Sequence, residues 1–257
     1  MTALGDIQAA RIDDRSIDLA TLLHTMKITD RLGDFRHALD DLLIQQGAER
    51  EGIAPSDEEL QAEADGVRVA LGLHRAADTR AWLAARGVSV DDFETYVQRI
   101  VCARKLKARV ATEHVEGYFM EHRPAFDAAR ISRLAFGSEA VAREAQAQLA
   151  ARETSVAVLA GRFAADPAGA PADGAGFVLR MHMDPAVAAA VFRASPGEIV
   201  GPIATARGAH ELVQAHEVRR AELDARTGAL VQDLLFSAWL RGERERSGAA
   251  LQVAELA

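Results

Sequence analysis

The side chains able to do chemistry gather in one stretch of the chain's second half. It runs Phe163-Ala-Ala-Asp166-Pro-Ala-Gly-Ala-Pro-Ala-Asp-Gly174-Ala-Gly176, then Met183-Asp-Pro185 and Phe192, then Pro196-Gly197-Glu-Ile-Val-Gly201-Pro202, and closes on Thr205-Ala-Arg-Gly208-Ala-His210. A carboxylate, a hydroxyl and an imidazole are interleaved there with apolar residues and with turns punctuated by glycine and proline. Taken singly, each residue also has a plain structural reading. Asp166-Pro167 can end a helix, His210 can be a hydrogen-bonded histidine of a strand, and Met183 and Phe192 can belong to a core.

Other chemistries lack their spacing. No His-Glu-x-x-His and no paired cysteines occur, and His114, His122, His182 and His216 have no partner at metal spacing, so neither a metal nor a cofactor is expected. There is no glycine-rich phosphate loop and no nucleophile elbow. Cys102 is the lone cysteine; it has no internal disulfide partner and reads as a buried structural thiol in Ile100-Val-Cys-Ala-Arg-Lys-Leu106. Trp82, Trp239, Tyr96 and Tyr118 read as anchors of helix packing.

The elements that must position these groups follow from composition and periodicity. At 257 residues and 49% apolar, with aromatics at 5%, the chain can bury one large core or two modest ones and is rich in helix formers. A net charge of −8 argues against a broad nucleic-acid face, so no nucleic-acid partner is expected. The first residues, Met1-Thr-Ala-Leu-Gly-Asp-Ile-Gln-Ala-Ala-Arg-Ile, do not read as a basic segment followed by an apolar one, and the expected compartment is the cytoplasm. Charges interrupt every apolar run, so no membrane span is expected.

Three parts are expected. Residues 1–125 read as helical: Asp18-Leu-Ala-Thr-Leu-Leu23 opens a short helix, and Phe35, Leu39, Leu42 and Leu43 space a longer one that closes near Glu51-Gly52. Ser56-Asp-Glu-Glu59 is a capping box, and Ser89-Val-Asp-Asp92 offers a similar start leading into Phe93, Val97, Val101 and Leu106. Residues 126–218 change character. Ile131 to Phe136 reads as a strand, Ser138 caps a helix with Val141, Ala145 and Leu149 on one face, and Gly208 to Ala215 reads as a closing strand. Residues 219–257 return to helix, with Leu230, Leu234, Leu235, Trp239 and Leu240 as an apolar stripe that needs a partner surface, here the N-terminal helices.

In order and spacing, the segment from Ile131 to His210 resembles a parvulin domain, the small PpiC-type peptidyl-prolyl isomerase fold. Val156-Ala-Val-Leu159-Ala160-Gly-Arg-Phe163-Ala-Ala-Asp166-Pro167 matches the family's helix and following Asp-Pro, and Asp173-Gly174-Ala175-Gly176 shortens its usual Gly-Gly-Asp-Leu-Gly turn. The loop Pro196 to Pro202 fits as well. The helices before and after resemble the flanks of SurA- and PrsA-like foldases, and the whole is similar to cytoplasmic PpiC-related proteins of bacterial peptide-maturation systems. The implied fold is therefore α+β: a helical chaperone-like N-terminal domain, a parvulin-type domain with a small antiparallel sheet and surrounding helices, and a C-terminal helix packing back.

The resemblance also implies a site. Asp166 falls where the family keeps Cys or Asp beside the substrate amide, and Thr205 and His210 match its threonine and second histidine. Met183, Val187 and Phe192 match the apolar proline pocket. Arg133 stands where the first histidine belongs, and a permanently charged guanidinium cannot both donate and accept as an imidazole does. Rotation about X-Pro faces a barrier of roughly 18–20 kcal/mol because it breaks amide resonance. A dry pocket for the ring and a polar surround that favours the twisted amide lower it without a nucleophile. Arg133 can instead pair with Asp166 or bind a carboxylate or carbonyl of a peptide. Three functions are compatible: a prolyl isomerase or foldase, a catalytically silent chaperone that presents a precursor peptide to modifying enzymes or an exporter, and a scaffold. The expected partner is a peptide or protein client, including a ribosomal precursor peptide; a homodimer is compatible with the sequence.

Overall fold

The computed structural model describes residues 4–13, 15–163 and 176–248. They form two compact units, Met1–Val115 with Gln232–Ala257, and Glu116–Val231.

The first unit opens on a feature that helical periodicity does not announce. Strands β1 (Gln8–Ile12) and β2 (Arg15–Asp18) pair antiparallel in a two-stranded ribbon whose described residues are exposed up to the half-buried Asp18. With no face buried, the ribbon carries no alternation to read. Helix α1 (Leu19–Ile28) then starts where Asp18 accepts from the Thr21 amide at 2.7 Å. Helix α2 (Gly33–Arg50) stops ahead of Gly52, whose φ of 63° is left-handed. Leu43 and Ala48 are buried on α2, but Leu42, expected on the same stripe, is 58% exposed and lies off the buried face. Both expected capping boxes are present: Ser56 starts α3 (Asp57–Ala70) with Glu59, and Ser89 starts α5 (Val90–Ala111) with Asp92. Between them lies α4 (Ala76–Arg86).

Helix α5 is the spine of this unit, burying Val97, Val101, Leu106 and Ala111. Helix α10 (Ala225–Ser247) joins it from Gln232 onward, so the C-terminal helix packs back on N-terminal helices. Trp239 stacks on Phe236 with rings 5.5 Å apart. A Cβ on Gly47 of α2 would lie 2.6 Å from the Trp239 ring and 2.9 Å from Leu106, so glycine sets this approach. Polar anchors frame the contact. Arg244 makes a two-pronged pair with Asp40 at 2.8 and 2.7 Å, and Lys107 reaches Asp233 at 2.7 Å. Buried Glu243 is held between Arg50 at 2.9 Å and Arg246 at 2.6 Å.

The second unit is built on one sheet. Helix α6 (Val115–His122) leads to β3 (Ala128–Phe136), α7 (Glu139–Ala150), α8 (Val156–Phe163), β4 (Phe177–Leu179), α9 (Pro185–Val191), β5 (Ile199–Ala204) and β6 (His210–Arg219). The strands are antiparallel in the order β4-β3-β6-β5. Alternation along β3 and β6 feeds two cores. Leu134, Phe136 and Leu212 meet Ala142, Ala145 and Leu149 of α7 and Leu159 of α8 on one face. Ala129, Ile131, Val213 and Ala215 meet Val187 and Val191 of α9 on the other. Helix α7 begins at Ser138 as expected, but its buried face is Ala142, Ala145 and Leu149; Val141 is 41% exposed. The unit is closed by Asp127, 3% exposed, which accepts from the Ala221 amide at 2.9 Å and from Arg220 at 2.6 Å.

Candidate functional site

Helix α9 and its approaches form the apolar side of the site. Asp184 caps α9 through the Ala186 amide at 2.9 Å, with Pro185 in the first turn, where its missing amide costs nothing. The other carboxylate oxygen accepts from the Ala206 amide, also at 2.9 Å. One side chain thus ties α9 to the β5–β6 turn, and these amides hold its carboxyl below the usual carboxylate range, Ala206 foremost. Val187 is 3% exposed, and half-buried Met183 and Phe192 pack against the same cluster. The structure therefore brings the three expected pocket residues together on one face of the sheet. The Arg180 guanidinium lies over the Phe192 ring, 4.9 Å from its centre.

The backbone of this region explains the motif Pro196 to Pro202. Gly197 and Gly201 take φ of 86° and 124°, and a Cβ on Gly201 would lie 2.3 Å from the Glu211 carbonyl oxygen. Glycine alone lets β5 run this close to β6. The following peptide bond, Gly201-Pro202, is cis.

The expected polar residues distribute differently. Arg133 sits on β3 opposite Val213, on the α9 face with Ile131. Its ion partner is Glu211 of β6 at 3.6 Å, with side-chain exposures of 26% and 10%. Glu211 was not visible as a site residue in the sequence; the signal was an acid inside a strand between Leu212 and His210, which demands a cation once that position faces inward. His210 lies opposite Phe136, which feeds the α7 core, so adjacent positions Glu211 and His210 point to opposite faces. His210 also adds a small charge contribution at Glu139 of α7, whose carboxyl is lowered chiefly by Arg143. Thr205 closes the β5–β6 turn: both its amide, at 2.9 Å, and its hydroxyl, at 3.1 Å, donate to the Ala209 carbonyl. Asp166 and the shortened turn at Asp173, Gly174 and Ala175 lie outside the described residues.

A second polar pair went unread in the sequence. Ser132, 5% exposed, places its hydroxyl 2.8 Å from His216 Nε2, where β6 carries one residue more than β3. This satisfies a buried hydroxyl. Cys102 of α5 is half-buried, and burial raises its thiol above the ordinary range, away from nucleophilic character.

Residues 110–225 match the family described as the PPIC-type PPIase domain, so this part of the chain is a PpiC/parvulin-type domain. No curated protein matches the chain in sequence. Among solved structures it is similar to the peptidylprolyl isomerase PrsA of Bacillus anthracis, at 14% identity and a TM-score of 0.53, covering 84% of this chain and 98% of that one. PrsA of Bacillus cereus aligns at 15% identity and a TM-score of 0.43, over 99% and 92% of the two chains. A structure from work on two SurA-like chaperones of Campylobacter jejuni aligns at 14% and 0.27, over 94% of each. The similarity to the Bacillus anthracis protein extends the shared fold from the isomerase-type domain into the helical unit.

Proposed function

We propose that this protein is a parvulin-like foldase or chaperone that holds X-Pro segments of a peptide or protein client on the α9 face. The observation that carries the reading is the gathering of Met183, Val187 and Phe192 into one partly open apolar cluster within a PPIC-type domain. A proline ring is the apolar group such a domain is built to hold. Arg133 and Glu211 supply charge on the same face, and Asp166, Thr205 and His210 are the polar residues that the family resemblance assigns to catalysis. The role in maturing a ribosomal precursor peptide in the cytoplasm rests on sequence resemblance alone.

A second reading has its own observation. Arg133 is engaged by Glu211, and His210 belongs by strand parity to the opposite face. A site so arranged can bind a peptide without lowering its rotational barrier, which makes the protein a catalytically silent presenting chaperone. X-Pro exchange measured by NMR on Ala-X-Pro-Phe peptides separates the two. Accelerated exchange lost in a folded Asp166→Ala variant identifies an isomerase; shifted peptide resonances without acceleration identify a binding chaperone. Phe192→Ala is expected to weaken peptide binding about 10-fold, the worth of one buried aromatic contact. Unchanged affinity in the folded variant removes the pocket assignment.

A further inference from the structure

Charge around the α9 face is used unevenly. Among the described residues, its acids accept hydrogen bonds or an ion pair from within the chain. Asp184 accepts two backbone amides, Glu198 accepts the Ser195 amide at 2.7 Å, and Glu211 faces Arg133. One cation, Arg180, lies on the same surface, and two more are near it in the chain: Arg193 follows Phe192, and Arg207 follows Ala206 in the turn that Asp184 holds. None of them has a carboxylate partner among the described residues. The chain as a whole is acidic, at −8, so these cations run against the general trend.

Arg180 is the best placed of the three. Its amide donates to the Asp127 carbonyl at 2.7 Å and its carbonyl accepts from the Met183 amide at 3.1 Å, so the backbone is fixed. The Phe192 ring steadies its guanidinium at 4.9 Å. Contact with a ring leaves most of the five N–H donors of a guanidinium available, and a planar fork of donors matches a carboxylate. Resting on the proposed proline site, we infer that Arg180 makes this face selective for clients carrying an acidic residue immediately before the proline. Proline binds against Phe192 while the neighbouring carboxylate reaches the guanidinium lying over that ring.

The test is a peptide-observed NMR titration of the full chain with Ala-Glu-Pro-Phe, Ala-Ala-Pro-Phe and Ala-Lys-Pro-Phe. The expected order of affinity is Glu, Ala, Lys, with about 5-fold between the extremes, the worth of one partly exposed charge pair. The ratio shrinks at about 0.5 M salt, where such a pair is screened. It falls close to one in Arg180→Gln and keeps its sign in Arg180→Lys. Equal affinity for all three peptides, or a preference that survives Arg180→Gln intact, overturns this inference and leaves the proline site standing. Failure of wild type to bind any of the three overturns the proline site, and the inference with it.

Discussion

The helical unit and the sheet unit are held together by different kinds of information. In the helical unit, structure starts from neighbours in sequence: Asp18, Ser56 and Ser89 each satisfy amides within the next three residues, and Gly52 and Gly87 close α2 and α4 with left-handed turns. In the sheet unit, almost everything that matters is a long-range pairing. Asp127 binds Ala221, Asp184 binds Ala206, Arg133 meets Glu211, and β3 lies along β6. The candidate site belongs mostly to the second kind, with local contacts only at the Asp184 cap and the Thr205 turn. The proposed peptide site depends mainly on strand register, whereas the helical unit depends more on local capping and on one tight helix approach.

The largest expected effect tests the sheet side of that contrast. Leu212 is 1% exposed and sits in the core between β6 and helices α7 and α8. Leu212→Ala should cost about 2–5 kcal/mol of unfolding free energy, from lost burial and the cavity left behind. Urea denaturation followed by far-UV circular dichroism measures it, and hydrogen exchange should accelerate along β3 and β6 together. A loss under about 1 kcal/mol would mean that this face lacks the close packing described.

The helical counterpart adds an atom instead of removing some. Gly47→Ala places a methyl 2.6 Å from the Trp239 ring and 2.9 Å from Leu106, so α2 must retreat or Trp239 must swing away. The gain in helix propensity, about 1 kcal/mol, opposes the strain of overpacking, about 1–3 kcal/mol. A net loss of about 0–2 kcal/mol is expected. Both tryptophans, Trp82 and Trp239, lie in this unit, so their fluorescence reports it directly. A stabilised Gly47→Ala variant with unchanged emission would show that the approach is looser than the geometry implies.

What could be read from the sequence divides along the same line. The caps at Ser56, Ser89 and Ser138 were legible because cap and recipient lie three residues apart. The apolar wall of Met183, Val187 and Phe192 was legible because a family pattern preserves its order. The ribbon Gln8–Asp18 was not, because exposed strands show no hydrophobic period. Nor was the identity of Arg133's partner. That depends on which residues of β3 and β6 are level, and on the extra residue at His216, which sets the parity of everything before it. Val141 illustrates the same limit on a smaller scale. Spacings of four and of three-then-four both describe a helical face, and packing chose Ala142.

Arg133 and Glu211 offer a finer test of the long-range side. Removing either partner leaves a charge in a mostly enclosed place, so Arg133→Ala and Glu211→Ala should each cost about 1–3 kcal/mol, discounted from the fully buried case because Arg133 is 26% exposed. The double variant should cost less than the sum of the two, by about 1 kcal/mol of coupling. Additivity in that cycle would mean that the pair, though close, does not hold β3 to β6. Arg133→His, which restores the residue type of the family pattern, should leave Glu211 only a weak partner near neutral pH and so lower stability as well.

The smallest effect is a pH dependence carried by Asp184. Its carboxyl is held below its ordinary value near 3.8, first by the Ala206 amide across the fold and then by the Ala186 amide at the start of α9. A folded-state value below the unfolded one means that the unfolded chain binds more protons in the interval between them, so stability rises with pH there. The contribution is complete above about 3.8 and disappears as the pH falls through the depressed folded value. Asp18, Asp78, Asp92 and Asp224 are lowered in the same direction by local amides or neighbouring side chains, so the wild-type curve alone cannot isolate one group. Asp184→Asn can. Asparagine keeps an acceptor but has no proton to lose, so the stability gap between wild type and variant should be wider at pH 6 than at pH 3. Urea midpoints at the two pH values measure the gap, and peptide affinity should follow it because the same carboxylate anchors the turn beside Met183. Parallel curves at both pH values would assign the hold on that turn to the backbone of β5 and β6 instead.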